Sequence, residues 1–241
     1  MDDDPLVRAK AYPFPIPSKS FILTDGQSLN IGPGDRSPDL SDRTPVLAVG
    51  SNQSPEQLAR KFPGTDWGPI PVIRVRLSDF DSVYSAHIAS YGAIPATLQV
   101  SPGVEVALFI TWLDARQLVR MHKTELSGAN YRFGKLNAID LEVELGPPLE
   151  AVYIYTSTHG TLCDPNGPIP VAEVDARGRP RLGLNQIAIQ RYVRDLLAPK
   201  MELDTFIVGS IDNPGLRRRR SYQLKVKAQP FTPSSLTTVR I

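Results

Sequence analysis

The chain has 241 residues, 41% hydrophobic and 22% charged, a composition typical of a globular protein with one large or two small domains. The formal net charge is +2, but residues 201–241 hold seven Lys or Arg against three Asp or Glu, so only this tail is basic. One cysteine, Cys163, excludes an internal disulfide, and the three histidines lack the spacing of a metal site.

The N-terminus and the hydropathy pattern predict a cytoplasmic protein. The opening Met-Asp-Asp-Asp-Pro has the wrong charge for a signal peptide, and no apolar run approaches the roughly 18 residues of a membrane span. A lone cysteine also favours a reducing compartment. We therefore expect a cytoplasmic protein without a metal or a cofactor.

Residues 1–43 are predicted to form an extended N-terminal arm that wraps the rest of the protein. They are rich in Pro, Gly, Asp and Ser, and residues 12–17 alternate apolar side chains with prolines, a pattern that favours a polyproline-like conformation. Within the arm, residues 21–23 are a short strand candidate.

The stretch 46–62 predicts a strand, a tight turn and a helix. Residues 46–49 are apolar, Gly50-Ser51-Asn52 follows, and Ser54-Pro55-Glu56-Gln57 resembles a helix start with a capping box. Such a turn can aim backbone N–H groups and two short polar side chains at one point, which makes it a candidate site for a carboxylate or an oxyanion. A plain turn before a surface helix explains the same spacing.

The next segments predict short strands joined by turns. Residues 71–77 and 82–88 alternate weakly at a period of two, and the apolar run 104–113 follows a turn expected at Ser101-Pro102-Gly103. After the helix described next, residues 131–145 and 151–155 are further strand candidates. These segments predict a hairpin-rich β region.

A helix is predicted at 115–126, with Asp114 as its N-cap, Gln117 completing a capping box and Gly128 just beyond its end. Its spacing places Glu125 on the same face as apolar residues, so this carboxylate is expected to point inward. An inward carboxylate is a candidate general acid or base. A Glu that bends back to solvent or to Lys123 is the structural alternative.

The C-terminal third predicts one helix and one hairpin. Residues 184–197 have helical spacing with Asn185 as a possible cap, whereas 205–211 and 216–228 flank Asp212-Asn213-Pro214-Gly215 and are expected to form a β-hairpin. The basic run 217–220 could contact phosphates, but no aromatic platform accompanies it. We therefore interpret it as a charged edge strand and expect no nucleic-acid partner.

The order of four motifs resembles the γ-glutamylcyclotransferase-like superfamily. The motifs are the strand with Gly50-Ser51-Asn52 and its helix, Pro95-Ala96-Thr97-Leu98 with Pro102-Gly103, the apolar strand to Leu113, and Glu125 followed by Tyr131. The resemblance covers residues 44–156 and would make the chain a divergent bacterial member. It implies an α+β fold: a small mixed β-barrel or curled sheet with short flanking helices.

The resemblance also implies a site and a division of the chain. Gly50, Ser51 and Asn52 would bind the ligand, Glu125 would be the catalytic carboxylate, and Tyr131 would line the pocket. Val49 also belongs to this binding set, but it stands where the family usually has an aromatic residue, so a contact and a hydroxyl are missing. The domain itself would span 44–200, with the arm 1–43 and a basic hairpin 201–241 packed against it.

The implied function is the cyclisation of a small γ-glutamyl amide or amine substrate to 5-oxoproline with release of the amine, with Glu125 as general acid and base. A non-catalytic module that binds a small acid or a protein partner through the same pocket is the alternative. A third possibility of the same kind is the accessory domain that accompanies allophanate-processing amidases.

Overall fold

The computed structural model describes residues 4–241 and contains six α-helices in this range. Because Met1 to Asp3 lie outside the described residues, the first part of the predicted arm is not included. The helices are α1 (Pro5–Lys10), α2 (Pro55–Lys61), α3 (Ala115–Glu125), α4 (Gln186–Leu197), α5 (Leu203–Asp212) and α6 (Pro214–Lys225). None of them is long and apolar enough to cross a membrane.

Twelve strands accompany these helices within residues 4–241. They are β1 (Phe21–Thr24), β2 (Gln27–Asn30), β3 (Thr44–Ala48), β4 (Ile70–Tyr84), β5 (Ala96–Leu113), β6 (Tyr131–Asn137), β7 (Leu141–Val143), β8 (Ala151–Ser157), β9 (Cys163–Asp164), β10 (Gly167–Pro168), β11 (Ala176–Arg177) and β12 (Leu236–Thr238).

Ten of the strands form one mixed sheet, in the order β12-β6-β8-β3-β5-β4-β1-β2, with β11 beside β5 and β7 beside β4. β3 pairs with β8 in parallel and with β5 in antiparallel orientation. The described strands do not close the sheet into a barrel, so of the two predicted forms the curled sheet applies. The predicted α+β class is confirmed.

The sheet is buried on both faces, and successive side chains along a strand point to opposite faces, so each strand contributes to two hydrophobic clusters. On β3, Val46 and Ala48 belong to one hydrophobic cluster, whereas Leu47 and the following Val49 belong to the other. The first cluster is covered by α2 and α3, and the second contains buried residues from α1, α4, α5 and α6. The turn after β3 therefore lies between two helical layers.

The two helices with the clearest capping signals form as predicted. Asp114 and Gln117 make both hydrogen bonds of a capping box at the start of α3, and the Asn185 side chain accepts a hydrogen bond from the Ala188 N–H at the start of α4. These bonds satisfy N–H groups that have no partner within the helix.

The strand predicted at 71–77 and the first part of the one predicted at 82–88 form a single strand, β4, which ends at Tyr84, so residues 85–88 were wrongly predicted as strand. The turn predicted at Ser101-Pro102-Gly103 is also wrong. These three residues form an irregular bulge within β5, opposite Asp79. The Asp79 carboxylate accepts a hydrogen bond from the Gly103 N–H at 2.8 Å, and Gly103 has a φ of 79°. The Asp79 side chain on the neighbouring strand therefore stabilises the local backbone conformation for which the sequence pattern had predicted a turn.

Two predictions about the chain ends need correction. The N-terminal arm is not wholly extended, because Asp4 caps α1 by accepting from the Leu6 N–H, and residues 21–30 form the β1–β2 hairpin. The β-hairpin predicted at 205–228 is wrong, since these residues form α5 and α6 around the Asn213 cap. Arg217 to Arg220 therefore lie on a helix rather than on an edge strand.

Candidate functional site

Because β3 and α3 have similar lengths and start beside each other, the turn after β3 and the Glu125 carboxylate at the end of α3 lie near each other. β5 ends beside the start of β3, since Leu113 pairs with Thr44. α3 has 11 residues and rises roughly 16 Å, and the five residues of β3 span about the same distance. The last residue of α3 therefore lies near the end of β3.

Glu125 contacts the turn directly. The Glu125 Oε1 atom accepts a hydrogen bond from Asn52 Nδ2 at 2.9 Å, and it also contacts the Lys61 ammonium. The Glu125 and Lys61 side chains are only 13% and 11% exposed. No partner of Glu125 Oε2 is found among residues 4–241, so this oxygen is available to a ligand.

Lys61 is held in place by the contact between α2 and α3. The Arg120 Nε donates to the Lys61 carbonyl oxygen at 2.7 Å, which satisfies a carbonyl at the end of α2. The side chain of Lys61 extends towards Met121 and Glu125 on α3. The charge of the poorly exposed carboxylate is thus compensated by a cation from a neighbouring helix.

All six predicted site residues line one cavity of about 680 Å³. This volume is within the usual range of small-molecule sites. The six are Val49, Gly50, Ser51, Asn52, Glu125 and Tyr131. Clustering of these residues does not by itself assign a role to any of them.

The turn differs locally from the expected geometry. Ser51–Gln53 form a short 3-10 helix in which the Gln53 and Ser54 N–H groups bond to carbonyls of the same turn. The Ser54 side chain makes no capping hydrogen bond, so the predicted capping box is absent. Fewer backbone N–H groups are therefore free for a ligand than the sequence suggested.

Five tyrosines line the cavity, and the sequence analysis singled out only Tyr131. Two of the others are Tyr12, which follows α1, and Tyr91, which lies in the β4–β5 connection; Tyr155 and Tyr222 complete the set. Burial raises the pKa of Tyr12, Tyr91 and Tyr131 above the usual value, so these three phenols keep their protons near neutral pH. The cavity wall therefore presents neutral hydroxyl donors near the Glu125 carboxylate.

Two histidines form another polar part of the cavity wall. The rings of His87 and His159 stack with centroids 4.5 Å apart, and His159 Nε2 lies 2.9 Å from Asn130 Oδ1. The His87 Nδ1 lies 2.7 Å from Ser85 Oγ. Burial, followed by the effect of His159, lowers the pKa of His87 to about 3.

This buried imidazole predicts an acid-sensitive fold. Between the usual pKa of 6.5 and about 3, the unfolded chain binds the proton and the folded chain does not. Stability should therefore fall as the pH falls through this window, by up to about 1.4 kcal/mol per pH unit from this group. Urea unfolding at pH 7, 6 and 5 should show a smaller loss for His87→Gln than for wild type. Equal losses would contradict a neutral buried His87.

Among residues 4–241 the structure contains no cluster of three or more His, Cys, Asp or Glu side chains arranged to hold a metal ion. The polar groups of the site include Glu125, Lys61, the amide of Asn52 and the phenols.

Comparisons with known proteins give similarities in fold. The sequence matches no protein-family model and no curated protein. Among solved structures, the chain is similar to a gamma-glutamyl cyclotransferase, with 17% identity, a TM-score of 0.39, and coverage of 80% of this chain and 91% of that one.

Two further solved structures are similar to this chain. An uncharacterized Homo sapiens protein is 16% identical, with a TM-score of 0.41 and coverage of 80% of this chain and 92% of that one. A protein from Arabidopsis thaliana, solved in solution, is 17% identical, with a TM-score of 0.36 and coverage of 54% and 76%.

Proposed function

We propose that this protein is an enzyme of the γ-glutamylcyclotransferase type, which converts a γ-glutamyl amide or amine into 5-oxoproline and a free amine. The observation that carries the proposal is the hydrogen bond between Glu125 and Asn52 inside the cavity lined by the Gly50 turn. It places a carboxylate with one unused oxygen beside polar groups that can orient a small ligand.

In the proposed reaction, Glu125 Oε2 accepts a proton from the α-ammonium group of the substrate. The resulting amine attacks the γ-carbonyl carbon and forms the ring C–N bond. Glu125 then returns the proton to the leaving nitrogen as the original amide C–N bond breaks. The ring nitrogen loses its second proton to the same carboxylate, which passes it to the released amine, so the amine leaves as an ammonium ion. Because the attack is intramolecular, orientation of the substrate supplies much of the rate enhancement.

The residues around Glu125 have complementary roles in this proposal. Asn52 and Lys61 hold Oε1, which fixes the orientation of the carboxylate and leaves Oε2 directed at the substrate. Tyr91 and Tyr131 can donate hydrogen bonds to substrate oxygens, and Gly50 and Ser51 supply the surrounding backbone. The partner implied is a small γ-glutamyl compound in the cytoplasm, and no cofactor is required.

The second candidate function is a non-catalytic module that binds a small acid in the same cavity. The ion pair of Lys61 with Glu125 favours it, because a carboxylate already paired with a lysine can serve to connect α2 with α3. In that case the Tyr and Lys groups bind a carboxylate-containing ligand, and Glu125 transfers no proton.

Turnover assays distinguish the two functions. We expect purified protein to release 5-oxoproline from at least one member of a panel of γ-glutamyl peptides and γ-glutamyl amines, measured by chromatography with mass detection. If no compound of the panel gave product while 5-oxoproline bound saturably, the result would exclude the enzyme function and support the binding module.

A further inference from the structure

The Tyr12 hydroxyl lies against the backbone of the turn after β3. Its oxygen accepts a hydrogen bond from the Ala96 N–H at 2.6 Å. A Cβ atom at Gly50 would lie only 2.1 Å from this oxygen. The side chain at position 50 must therefore be absent for Tyr12 to reach its place.

The N-terminal segment is held firmly enough to fix Tyr12. The Gln190 Nε2 on α4 donates to the Ala9 carbonyl at 3.1 Å, and Lys10 pairs with Asp204 on α5 at 2.6 Å. The Arg8 guanidinium lies 4.9 Å from the centre of the Tyr91 ring. These contacts tie α1 to the helical layer and to another phenol of the cavity.

The Tyr12 hydroxyl is a donor with an unused proton. Its oxygen accepts from the Ala96 N–H, and burial raises its pKa, so the phenol stays protonated. No acceptor for this proton is found among residues 4–241, and Tyr12 lines the cavity.

Val49 makes this donor more important. It is the residue directly before the turn, it is 8% exposed, and its side chain offers no hydrogen bond. The hydroxyl at this end of the cavity comes instead from Tyr12, which is 37 positions earlier in the chain. The N-terminal segment thus supplies a polar group that the turn itself lacks.

We propose that Tyr12 is a specificity-determining residue that donates its hydroxyl proton to a carboxylate oxygen of the ligand bound beside Gly50. The ligand class is a small carboxylate, which in the proposed function is the glutamyl end of the substrate; this assignment rests on that function. The site is then incomplete without the segment that contains α1.

The test is Tyr12→Phe, which removes only the hydroxyl. Losing a hydrogen bond to a charged oxygen should weaken the binding of 5-oxoproline and of glutarate by about tenfold, measured by calorimetry. In turnover assays KM should rise by a similar factor while kcat stays within about twofold, because the contact is made in ground state and transition state alike.

Tyr84→Phe is the matched control. Tyr84 is fully buried and donates to the Leu184 carbonyl at 2.8 Å, but it is not among the residues that line the cavity. This variant should lose stability without a change in ligand binding. It separates the loss of one buried hydroxyl from the loss of a ligand contact.

The outcomes separate this inference from the proposed function. Turnover with unchanged KM and unchanged binding in Tyr12→Phe would overturn the role of Tyr12 and leave the enzyme intact. Absent turnover with glutarate binding that still depends on Tyr12 would overturn the enzyme and support the role of Tyr12. Wild-type protein that binds neither 5-oxoproline nor glutarate would overturn the assignment of Tyr12.

Discussion

Replacement of Glu125 by Gln is expected to reduce 5-oxoproline release by at least ~10²-fold, the usual scale of general acid–base catalysis. Gln has nearly the same size and can keep a hydrogen bond to Asn52, but it cannot accept and return a proton. Initial rates at saturating substrate measure the effect. Glu142→Gln, which changes an exposed carboxylate on β7, should retain wild-type turnover. Full activity in Glu125→Gln would exclude the proposed acid–base role.

The same variant has a structural consequence that the sequence did not suggest. Gln leaves the Lys61 ammonium without its counter-charge in a poorly exposed position. We therefore expect a stability loss of about 2 kcal/mol in chemical unfolding, in line with other unpaired buried charges.

The double variant Lys61→Met with Glu125→Gln separates the structural effect from the catalytic one. It removes the unpaired charge, so it should regain part of the lost stability while turnover stays low. If stability and activity returned together, the activity loss in the single variant would be a folding effect.

The sequence predicts best those elements whose signals are local. Asp114 with Gln117 and Asn185 with its helix are side chains that cap the backbone within three residues, so their effect does not depend on the rest of the fold. The predicted strand at 71–77 and the first part of the one at 82–88 join into β4 because pairing with β5 continues past an irregularity at Asp79. The extent of β4 depends on this long-range pairing, which a local sequence pattern does not reveal.

The C-terminal prediction failed because two periodicities fit the same residues. Tyr222, Leu224 and Val226 alternate as in a strand, yet only Leu224 of these three is buried. The Asn213-Pro214 pair was interpreted as a turn, whereas Asn213 caps α6 by accepting from the Leu216 N–H. A cap followed by Pro at the first helical position was the available signal.

The candidate site was partly predictable for a similar reason. Glu125 and the Gly50 turn carry recognisable local patterns, and the length of α3 brings them together. Tyr12 and Tyr91 reach the cavity from two other segments, and nothing near them in the sequence marks them. Lys61 is at the end of the helix that follows the turn, one helical turn after Gln57 on the same face of α2, and this spacing is its only local hint.

Arg220→Ala is expected to destabilise the protein by about 3 kcal/mol, although Arg220 belongs to a basic run that the sequence placed on an exposed strand. Arg220 is only 5% exposed, and its guanidinium lies 3.8 Å from the centre of the Phe206 ring. It donates to the Phe206 carbonyl at 2.8 Å and to Ser210 Oγ at 2.6 Å. Alanine would remove both of these buried hydrogen bonds to α5 together with the stacking contact.

Arg219→Ala is the control, because Arg219 is the exposed neighbour on the same helix and makes no ion pair with any residue between 4 and 241. The substitution removes the same charge at almost the same place, so stability should change by no more than about 0.5 kcal/mol. Urea unfolding of both variants gives the comparison. Equal, small effects would mean that Arg220 does not hold α6 against α5, whereas the expected difference assigns at least one arginine of the run to the core rather than to a partner.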